Sequence, residues 1–121
     1  MPTRHLVLYL DCEPRTFSRG VLLLKSHGHA VIASMDPQVA LRIVAVEPVT
    51  MVIICDSLES GVRHQTMVAM REIRPTVPIV LLAKEGAMEK DAEKMEHTVV
   101  AERDEKTLME MIRRYTGVDE Q

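Results

Sequence analysis

The chain has 121 residues, a formal net charge of −3 and 46% hydrophobic residues, so its size and composition are those of one folded domain. Mild acidity, two Tyr, one Phe and no Trp argue against a nucleic-acid-binding face, which needs basic patches and stacking platforms. Apolar runs such as Leu6–Leu10 are far too short to span a bilayer. Two Cys and a start without a signal-peptide pattern predict a reducing, cytoplasmic location.

The first third of the chain predicts two strands separated by a helix. Leu6–Leu10 is continuously apolar, which is typical of a strand covered on both faces of a parallel sheet. Pro14 suits the first turn of a helix because its missing N–H costs nothing there, and Gly28 is a natural stop for that helix. Ala30–Ser34 is the second predicted strand.

The middle of the chain continues this alternation of strands and helices. Asp36, which is followed by a proline, predicts the N-cap of a second helix, and Pro48 stops that helix. Met51–Cys55 is a third apolar strand and ends directly before an acid. Val62–Arg74 carries apolar residues at helical spacing and therefore predicts a third helix.

The last third of the chain contains two further strands and two helices. Ile79–Leu82 is the fourth predicted strand, and Thr98–Val100 is the fifth. Between them, Lys84–His97 predicts a charged helix with a thin apolar stripe. The final helix has apolar residues at i, i+3, i+4 and i+7 counted from Leu108, and Gly117 ends it.

The strict alternation of strand–helix units predicts an α/β fold with a doubly wound parallel sheet, because each right-handed crossover covers one face of the sheet. Ligands of such sheets bind outside the carboxyl ends of the strands. The residues in this position are Asp11-Cys12-Glu13 after the first strand, Asp56-Ser57 after the third, Ala83-Lys84 after the fourth and Ala101-Glu102 after the fifth.

Four segments carry a family resemblance, namely LYLDCEP (Leu8–Pro14), VIICD (Val52–Asp56), PIVLLAK (Pro78–Lys84) and TVVAER (Thr98–Arg103). With them the chain resembles the receiver domain of response regulators in two-component signalling, from Arg4 to Tyr115. The resemblance implies a flavodoxin-like (βα)5 sheet of strand order 2-1-3-4-5, in a single domain over 1–121 with its core over 4–116. Because this domain fills the chain, we expect a stand-alone receiver without an attached effector domain.

The resemblance also implies a phosphorelay chemistry. In this family an aspartate at the end of the third strand accepts a phosphoryl group from a sensor histidine kinase, and Asp56 matches that aspartate. Asp11 matches an acid that holds Mg²⁺ together with the acceptor, and Glu13 matches the common continuation of the motif. The backbone carbonyl of Leu58 matches the main-chain ligand of the metal. These matches imply a signalling protein that is not an enzyme beyond self-phosphorylation and dephosphorylation at Asp56.

Cys12, Ala83 and Ala101 depart from the pattern of the family. Cys12 stands where a direct Mg²⁺ ligand is usual, and a thiol is a poor ligand for this hard cation. Ala83 replaces a hydroxyl residue and Ala101 replaces a lysine, both of which hold the phosphoryl group in the family. We therefore expect weakened Mg²⁺ binding, inefficient phosphorylation and a raised pKa for one of the carboxyls of Asp11 and Asp56.

Several of these residues have a second interpretation that the sequence leaves open. Asp56 is either a working phosphoacceptor or a relic of the family. Glu13 either holds Mg²⁺ weakly or is a solvated acid that favours the helix dipole. Lys84 either replaces the missing cation or is simply exposed. Cys12 and Cys55 lie near one sheet edge and form either a redox or soft-metal site or, for Cys55, part of the core.

Three functions are compatible with the sequence. The first is an atypical receiver in which a sensor histidine kinase or another signalling protein phosphorylates Asp56. The second is a phosphorylation-independent pseudo-receiver that only binds a partner. For both, the resemblance implies a second copy as a further partner, through the face formed by the charged helix, the fifth strand and the last helix. The third is a flavodoxin-like enzyme or cofactor binder, against which the segment Cys12–Arg15 counts because it lacks a glycine-rich phosphate loop.

Overall fold

The computed structural model describes residues 5–83, 98–102 and 104–116. The strands are β1 (Leu6–Leu10), β2 (Ala30–Ser34), β3 (Met51–Cys55), β4 (Ile79–Ala83) and β5 (Thr98–Glu102). The helices are α1 (Pro14–Ser26), α2 (Pro37–Val46), α3 (Ser60–Ile73) and α4 (Glu105–Thr116). None of these helices is both long enough and apolar enough to cross a membrane.

A five-stranded parallel sheet in the order β2-β1-β3-β4-β5 forms the centre of the protein. This topology confirms the predicted doubly wound α/β fold and its strand order. The neighbouring strands β1 and β3 pair in a register that sets Leu10 beside Ile54. Because the two strands are parallel, their carboxyl ends lie at the same edge of the sheet, where ligands of such folds bind.

Two apolar layers cover the two faces of the sheet. In the α2–α3 layer, Leu8 of β1 packs in one cluster with residues of α2 and with Met67 of α3. In the α1–α4 layer, Tyr9 of β1 packs with Leu24 of α1 and Ile112 of α4. Because successive side chains of a strand point to opposite faces, each central strand contributes to both layers. This arrangement explains why the strands are continuously apolar.

Local capping chemistry sets where the helices begin. Asp36 is the N-cap of α2, as predicted, and accepts the backbone N–H of Gln38 at 2.9 Å. In contrast, α3 begins at Ser60 rather than at the predicted Val62, because Glu59 caps the helix and accepts the backbone N–H of Val62 at 3.2 Å. Glutamate is not among the preferred N-cap residues, so the sequence does not indicate this start.

Strand pairing extends two of the predicted strands. β4 reaches Ala83 and β5 reaches Glu102, because these two residues are paired at the end of the sheet. The sequence predicts earlier ends for both strands, at Leu82 and at Val100, because the runs of large apolar residues stop there. The predicted charged helix over Lys84–His97 and the predicted stop at Gly117 lie outside the described residues.

Two arginines at the C-terminal end of α3 form hydrogen bonds with loops at the amino-terminal edge of the sheet. Arg71 donates to the carbonyl of Val77 at 2.6 Å and to the hydroxyl of Thr98 at 3.2 Å. Arg74 donates to the carbonyl of Glu47 at 2.7 Å. Because a guanidinium has several N–H groups, each arginine can donate to more than one loop carbonyl. They hold the connections that precede β3 and β4.

Candidate functional site

The carboxyl ends of β1 and β3 place two acids at one edge of the sheet. Asp11 directly follows β1, and Asp56 directly follows β3. The backbone N–H of Asp11 donates to Ser34 of β2 at 3.2 Å, and that of Asp56 donates to Leu82 of β4 at 3.0 Å. Asp11 is fully buried, whereas Asp56 is partly exposed. The sheet therefore brings the two predicted acids to the same edge, with unequal access to solvent.

Donors from separate parts of the chain hold the carboxylate of Asp11. The hydroxyl of Ser57 donates to Oδ1 at 2.6 Å, and the backbone N–H of Glu13 donates to the same oxygen at 3.0 Å. The hydroxyl of Tyr9 donates to Oδ2 at 3.1 Å. Hydrogen bonds to an ionised acceptor are roughly twice as strong as those between neutral groups. Both carboxylate oxygens are therefore engaged inside the protein.

The pKa of Asp11 lies below its ordinary value. Burial alone raises this pKa, but the hydrogen bonds to the carboxylate, led by the one from Ser57, outweigh the effect of burial. The expectation of a raised carboxyl pKa is therefore wrong for Asp11. Two acids on neighbouring strands predict mutual repulsion, but the sequence alone does not show the donors that stabilise the ionised form.

Ser57 and Tyr9 also belong to the site; the sequence places Ser57 at the end of the third strand without giving it a role, and it does not single out Tyr9. Ser57 donates to Asp11 and accepts the backbone N–H of Cys12 at 2.9 Å, so it joins the loops after β1 and β3. Burial, followed by the neighbours Cys55 and Asp11, raises the pKa of Tyr9, which keeps its hydroxyl protonated as a donor. Tyr9 lies two residues before Asp11, and this spacing along a strand is a signal that the two side chains share a face.

The two cysteines point into different layers and do not form a shared site. The thiol of Cys12 donates to the carbonyl of Met35 at 3.2 Å and packs against the α2–α3 layer. Burial, followed by the charge of nearby acids, raises the pKa of Cys12, so this side chain stays a neutral thiol. Cys55 is buried in the α1–α4 layer, where it donates to the hydroxyl of Tyr9 at 3.3 Å.

Glu13 is the N-cap of α1. Its carboxylate accepts the backbone N–H of Thr16 at 2.8 Å, and this hydrogen bond lowers the pKa of Glu13. An acid at this end of a helix also interacts favourably with the helix dipole. The structure therefore places the Glu13 carboxylate in a helix cap, and the backbone of the residue, rather than its side chain, contacts Asp11.

Arg63 contacts the carbonyl that the resemblance assigns to the metal. Its Nη1 donates to the backbone oxygen of Leu58 at 3.0 Å. Although Arg63 lies near the start of α3, its exposed fraction is only 7%. Arginines are rarely buried unless they are paired, so an arginine on a surface helix is normally predicted as exposed. No local sequence pattern distinguishes Arg63 from such a residue, and its place in the site follows from the structure.

The positions that depart from the family pattern are only partly described. Ala83 is the last residue of β4 and presents a buried methyl group at the edge. Ala101 lies in β5, where it pairs with Leu82. Lys84, the predicted substitute cation, lies outside the described residues and stays a prediction. Arg63 is a cation that the structure does place at this edge.

Protein donors engage part of the predicted Mg²⁺ ligand set at this edge. Among the described residues, no three His, Cys, Asp or Glu side chains form a group able to hold a metal ion. Magnesium demands near-octahedral oxygen ligands, but the oxygens of Asp11 and Leu58 already accept hydrogen bonds from protein donors. The carboxylate of Glu13 is committed to a helix cap, and the thiol of Cys12 is committed to a main-chain carbonyl.

A cavity of about 320 Å³ lies between α1 and α4, next to this edge. Tyr9 of β1, Gly20 of α1 and Leu108 of α4 are among the residues that line the cavity. Neither Asp11 nor Asp56 lines it, so the acids lie outside this space. The cavity and the acids are connected through Tyr9, whose hydroxyl donates to Asp11.

The chain has similar proteins among solved structures, but comparisons of its sequence find none. No family model matches the chain, and no curated protein matches it significantly. Among solved structures, the chemotaxis protein CheY4 of Vibrio cholerae, crystallised at low pH, is similar with a TM-score of 0.81 and 18% identity, over 93% of this chain and 99% of that chain. The chain has the receiver-domain fold.

Further solved structures lead to the same assignment of the fold. A CheY-like receiver domain protein of Methanospirillum hungatei has a TM-score of 0.79 at 12% identity, over 95% of each chain. The receiver domain of a sensor histidine kinase of Pseudomonas aeruginosa has a TM-score of 0.76 at 17% identity, over 96% of this chain and 100% of that chain. That domain holds a magnesium ion in its active-site cleft. The structural neighbours of the chain are therefore receiver domains, as the resemblance implied.

Proposed function

We propose that this protein is a receiver-type signalling module that acts by protein contact and in which Asp56 is the phosphoacceptor. The position of Asp56 is the observation that carries the proposal. The residue directly follows the central strand β3, is partly exposed and shares its sheet edge with the buried Asp11. A carboxylate that a phosphodonor can approach is a competent nucleophile for a phosphoryl group.

In the proposed reaction, a carboxylate oxygen of Asp56 forms a bond to the phosphorus of a phosphohistidine on a kinase or relay protein. The P–N bond breaks, its electron pair stays on the histidine nitrogen, and that nitrogen takes a proton from water. The product is an acyl phosphate on Asp56. Phosphoryl transfer depends mainly on positioning and charge stabilisation. Because Ala83 offers only a methyl group at this edge, we expect the reaction to be slow.

The proposed partners are a sensor histidine kinase or another signalling protein, and a second copy of this chain. For the second copy we propose the face that contains β5, α4 and the predicted charged helix. The described part of this face presents the exposed residues Glu110, Arg113 and Arg114 of α4. Mixed charge of this kind suits a polar protein contact better than a nucleic-acid backbone, which requires a basic surface.

A second candidate function is the phosphorylation-independent pseudo-receiver. It is favoured by the contact between Arg63 and the carbonyl of Leu58, and by the methyl group of Ala83 at the end of β4. In this candidate the acids stabilise the loops, and the output depends only on binding a partner protein. We propose a low affinity for Mg²⁺ under both candidates, because Cys12 stands where a carboxylate ligand is usual and the oxygens of Asp11 and Leu58 accept hydrogen bonds from the protein.

Intact-mass measurement after incubation with acetyl phosphate tests the role of Asp56. In the wild-type protein, we expect a minor population that is heavier by one phosphoryl group, and none in Asp56→Asn. Glu72→Gln is the matched control, because it removes an exposed acid of α3 and is expected to keep the adduct. An adduct that persists in Asp56→Asn contradicts the proposed role. If the wild-type protein forms no adduct, the second candidate is the function.

A further inference from the structure

The cavity between α1 and α4 is a space that the proposed phosphorylation does not use, since neither Asp11 nor Asp56 lines it. Its volume of about 320 Å³ lies at the lower end of the range of small-molecule sites, which is roughly 300–1,000 Å³. Such sites are mainly apolar and contain a few polar groups that orient the ligand. The cavity therefore has the size for one small organic molecule, and the chemistry of its lining indicates the class of that molecule.

The inner part of the cavity is apolar. Leu82 of β4 and Leu108 of α4 are buried and line it, and so does the buried Tyr9 of β1. Leu23 of α1 lines it from a partly exposed position. These side chains can remove an aliphatic or aromatic group of a ligand from water, and this burial favours binding in proportion to the apolar area covered.

Charged residues of both signs line the solvent-exposed part of the cavity. Arg19 of α1 is a permanent cation, whereas Asp104 and Glu105, at the start of α4, are acids. Within the described residues, Arg19 forms no ion pair with either acid. A ligand that complements these charges needs a negative group for Arg19 and a positive group for the acids.

Local contacts hold the two acids of the cavity in place. Oδ1 of Asp104 accepts the backbone N–H of Thr107 at 2.8 Å, and this hydrogen bond lowers the pKa of Asp104. Oε1 of Glu105 lies 3.3 Å from Nε2 of His27, which follows the last residue of α1. The acids are therefore partly pre-organised, which reduces the cost of ordering their side chains when a ligand binds.

We propose that this cavity is a binding site for a free apolar α-amino acid such as leucine. The side chain of the ligand packs against Leu82 and Leu108. Its carboxylate pairs with the guanidinium of Arg19, and its ammonium group faces the carboxylates of Asp104 and Glu105. An α-amino acid is the small molecule that combines both charges with an apolar group. This inference does not depend on the proposed phosphorylation.

A titration with leucine, followed by the backbone amide NMR shifts of the wild-type protein, tests the proposal. We expect saturable shifts at the lining residues Gly20, Leu23 and Leu108, with a dissociation constant in the millimolar range. Ligands of matched structure separate the contributions, because isocaproate lacks the ammonium group, isoamylamine lacks the carboxylate and glycine lacks the apolar side chain. Since each of them loses one kind of contact, we expect each to bind at least about tenfold more weakly than leucine.

Substitutions in the lining test the same site. Leu23→Trp fills part of the cavity and is expected to abolish the leucine shifts, whereas Leu22→Trp adds the same side chain at an exposed position outside the lining and is expected to keep them. Arg19→Gln is expected to weaken the binding of leucine at least about tenfold but not that of isoamylamine, which has no carboxylate. Arg42→Gln, which removes an exposed arginine of α2, is the control for a general change of charge and is expected to bind leucine as the wild-type protein does. Circular dichroism checks that each variant folds, and Arg19→Gln carries the test if Leu23→Trp does not fold.

Three results would overturn the proposal. The first is the absence of saturable shifts when leucine is added to the folded wild-type protein. The second is binding of isocaproate, isoamylamine or glycine that is as strong as that of leucine, because one of the proposed contacts then contributes nothing. The third is unchanged leucine binding in folded Leu23→Trp or in Arg19→Gln, which would place the ligand elsewhere. None of these results depends on whether Asp56 accepts a phosphoryl group, so the inference and the proposed function can fail separately.

Discussion

Asp11→Asn is expected to lower the free energy of unfolding by about 3 kcal/mol at neutral pH. The carboxylate is fully buried and accepts hydrogen bonds from Ser57, Glu13 and Tyr9. An amide has only one oxygen, so its NH₂ group must face at least one of these donors. A buried donor that loses its acceptor costs about 1–3 kcal/mol, and a hydrogen bond to a charged group contributes about as much.

The cost of this substitution depends on pH. The pKa of Asp11 is lower in the folded protein than its ordinary value of about 3.9, so the ionised carboxylate stabilises the fold above that value. This contribution is lost as the pH falls through the lowered, folded-state pKa. The Asp11→Asn variant has no group that titrates there. We therefore expect the difference in stability between the two proteins to shrink in acid.

Urea unfolding at neutral and acidic pH measures both effects. Glu72→Gln serves as the control, because Glu72 is an exposed acid of α3 and its loss is expected to change stability by less than about 0.5 kcal/mol. Ser57→Ala is expected to destabilise less than Asp11→Asn and to raise the pKa of Asp11, since it removes the hydrogen bond of 2.6 Å. An Asp11→Asn variant more stable than the wild-type protein would show that repulsion between the acids dominates.

Gly20→Ala is expected to lower the free energy of unfolding by about 2–3 kcal/mol, as overpacking of a tight interior does. A Cβ at Gly20 would overlap the hydroxyl and the ring of Tyr9. The ring cannot easily move away, because it is buried and its hydroxyl lies 3.1 Å from Asp11 and 3.2 Å from the carbonyl of Thr16. Any displacement of Tyr9 also withdraws a donor from Asp11, so the substitution affects the site as well as the fold.

Gly61→Ala is the matched control, because it makes the same substitution in another helix, α3. Its Cβ would lie 3.3 Å from the carboxylate of Glu59, an exposed helix cap that needs to move by only a few tenths of an ångström. Alanine also has a higher helix propensity than glycine, by about 1 kcal/mol. We therefore expect unchanged or slightly increased stability for Gly61→Ala in thermal unfolding. Equal stability of the two alanine variants would contradict the tight packing of Tyr9 against α1.

The fold could be predicted because its determinants are local in the sequence. Apolar runs such as Leu6–Leu10 mark the strands, and Asp36 with the following proline marks the start of α2. Where the boundary of a helix or strand differs from its prediction, the cause is a distant contact or an unusual capping residue. α3 begins early because of a glutamate cap at Glu59, and β5 extends to Glu102 because it pairs with β4.

The candidate site could be predicted only as a pair of acids. Asp11 and Asp56 stand directly after apolar runs, and the parallel topology brings such positions to one edge. The hydrogen bond between Asp11 and Ser57 joins residues 46 positions apart, and no sequence pattern shows which donors meet a buried carboxylate. For the same reason, neither the lowered pKa of Asp11 nor the burial of Arg63 follows from the sequence.

Phosphorylation of Asp56, measured side by side in Mg²⁺ and in EDTA, tests most directly whether this is a receiver-type site with a low affinity for Mg²⁺. With acetyl phosphate as donor and intact mass as the readout, we expect the same small phosphorylated fraction in both conditions, since the proposed low affinity leaves the site without Mg²⁺ even when the ion is present. We expect this fraction to be absent from Asp56→Asn. A phosphorylated fraction that forms only when Mg²⁺ is present would contradict the proposed low affinity of this site for Mg²⁺.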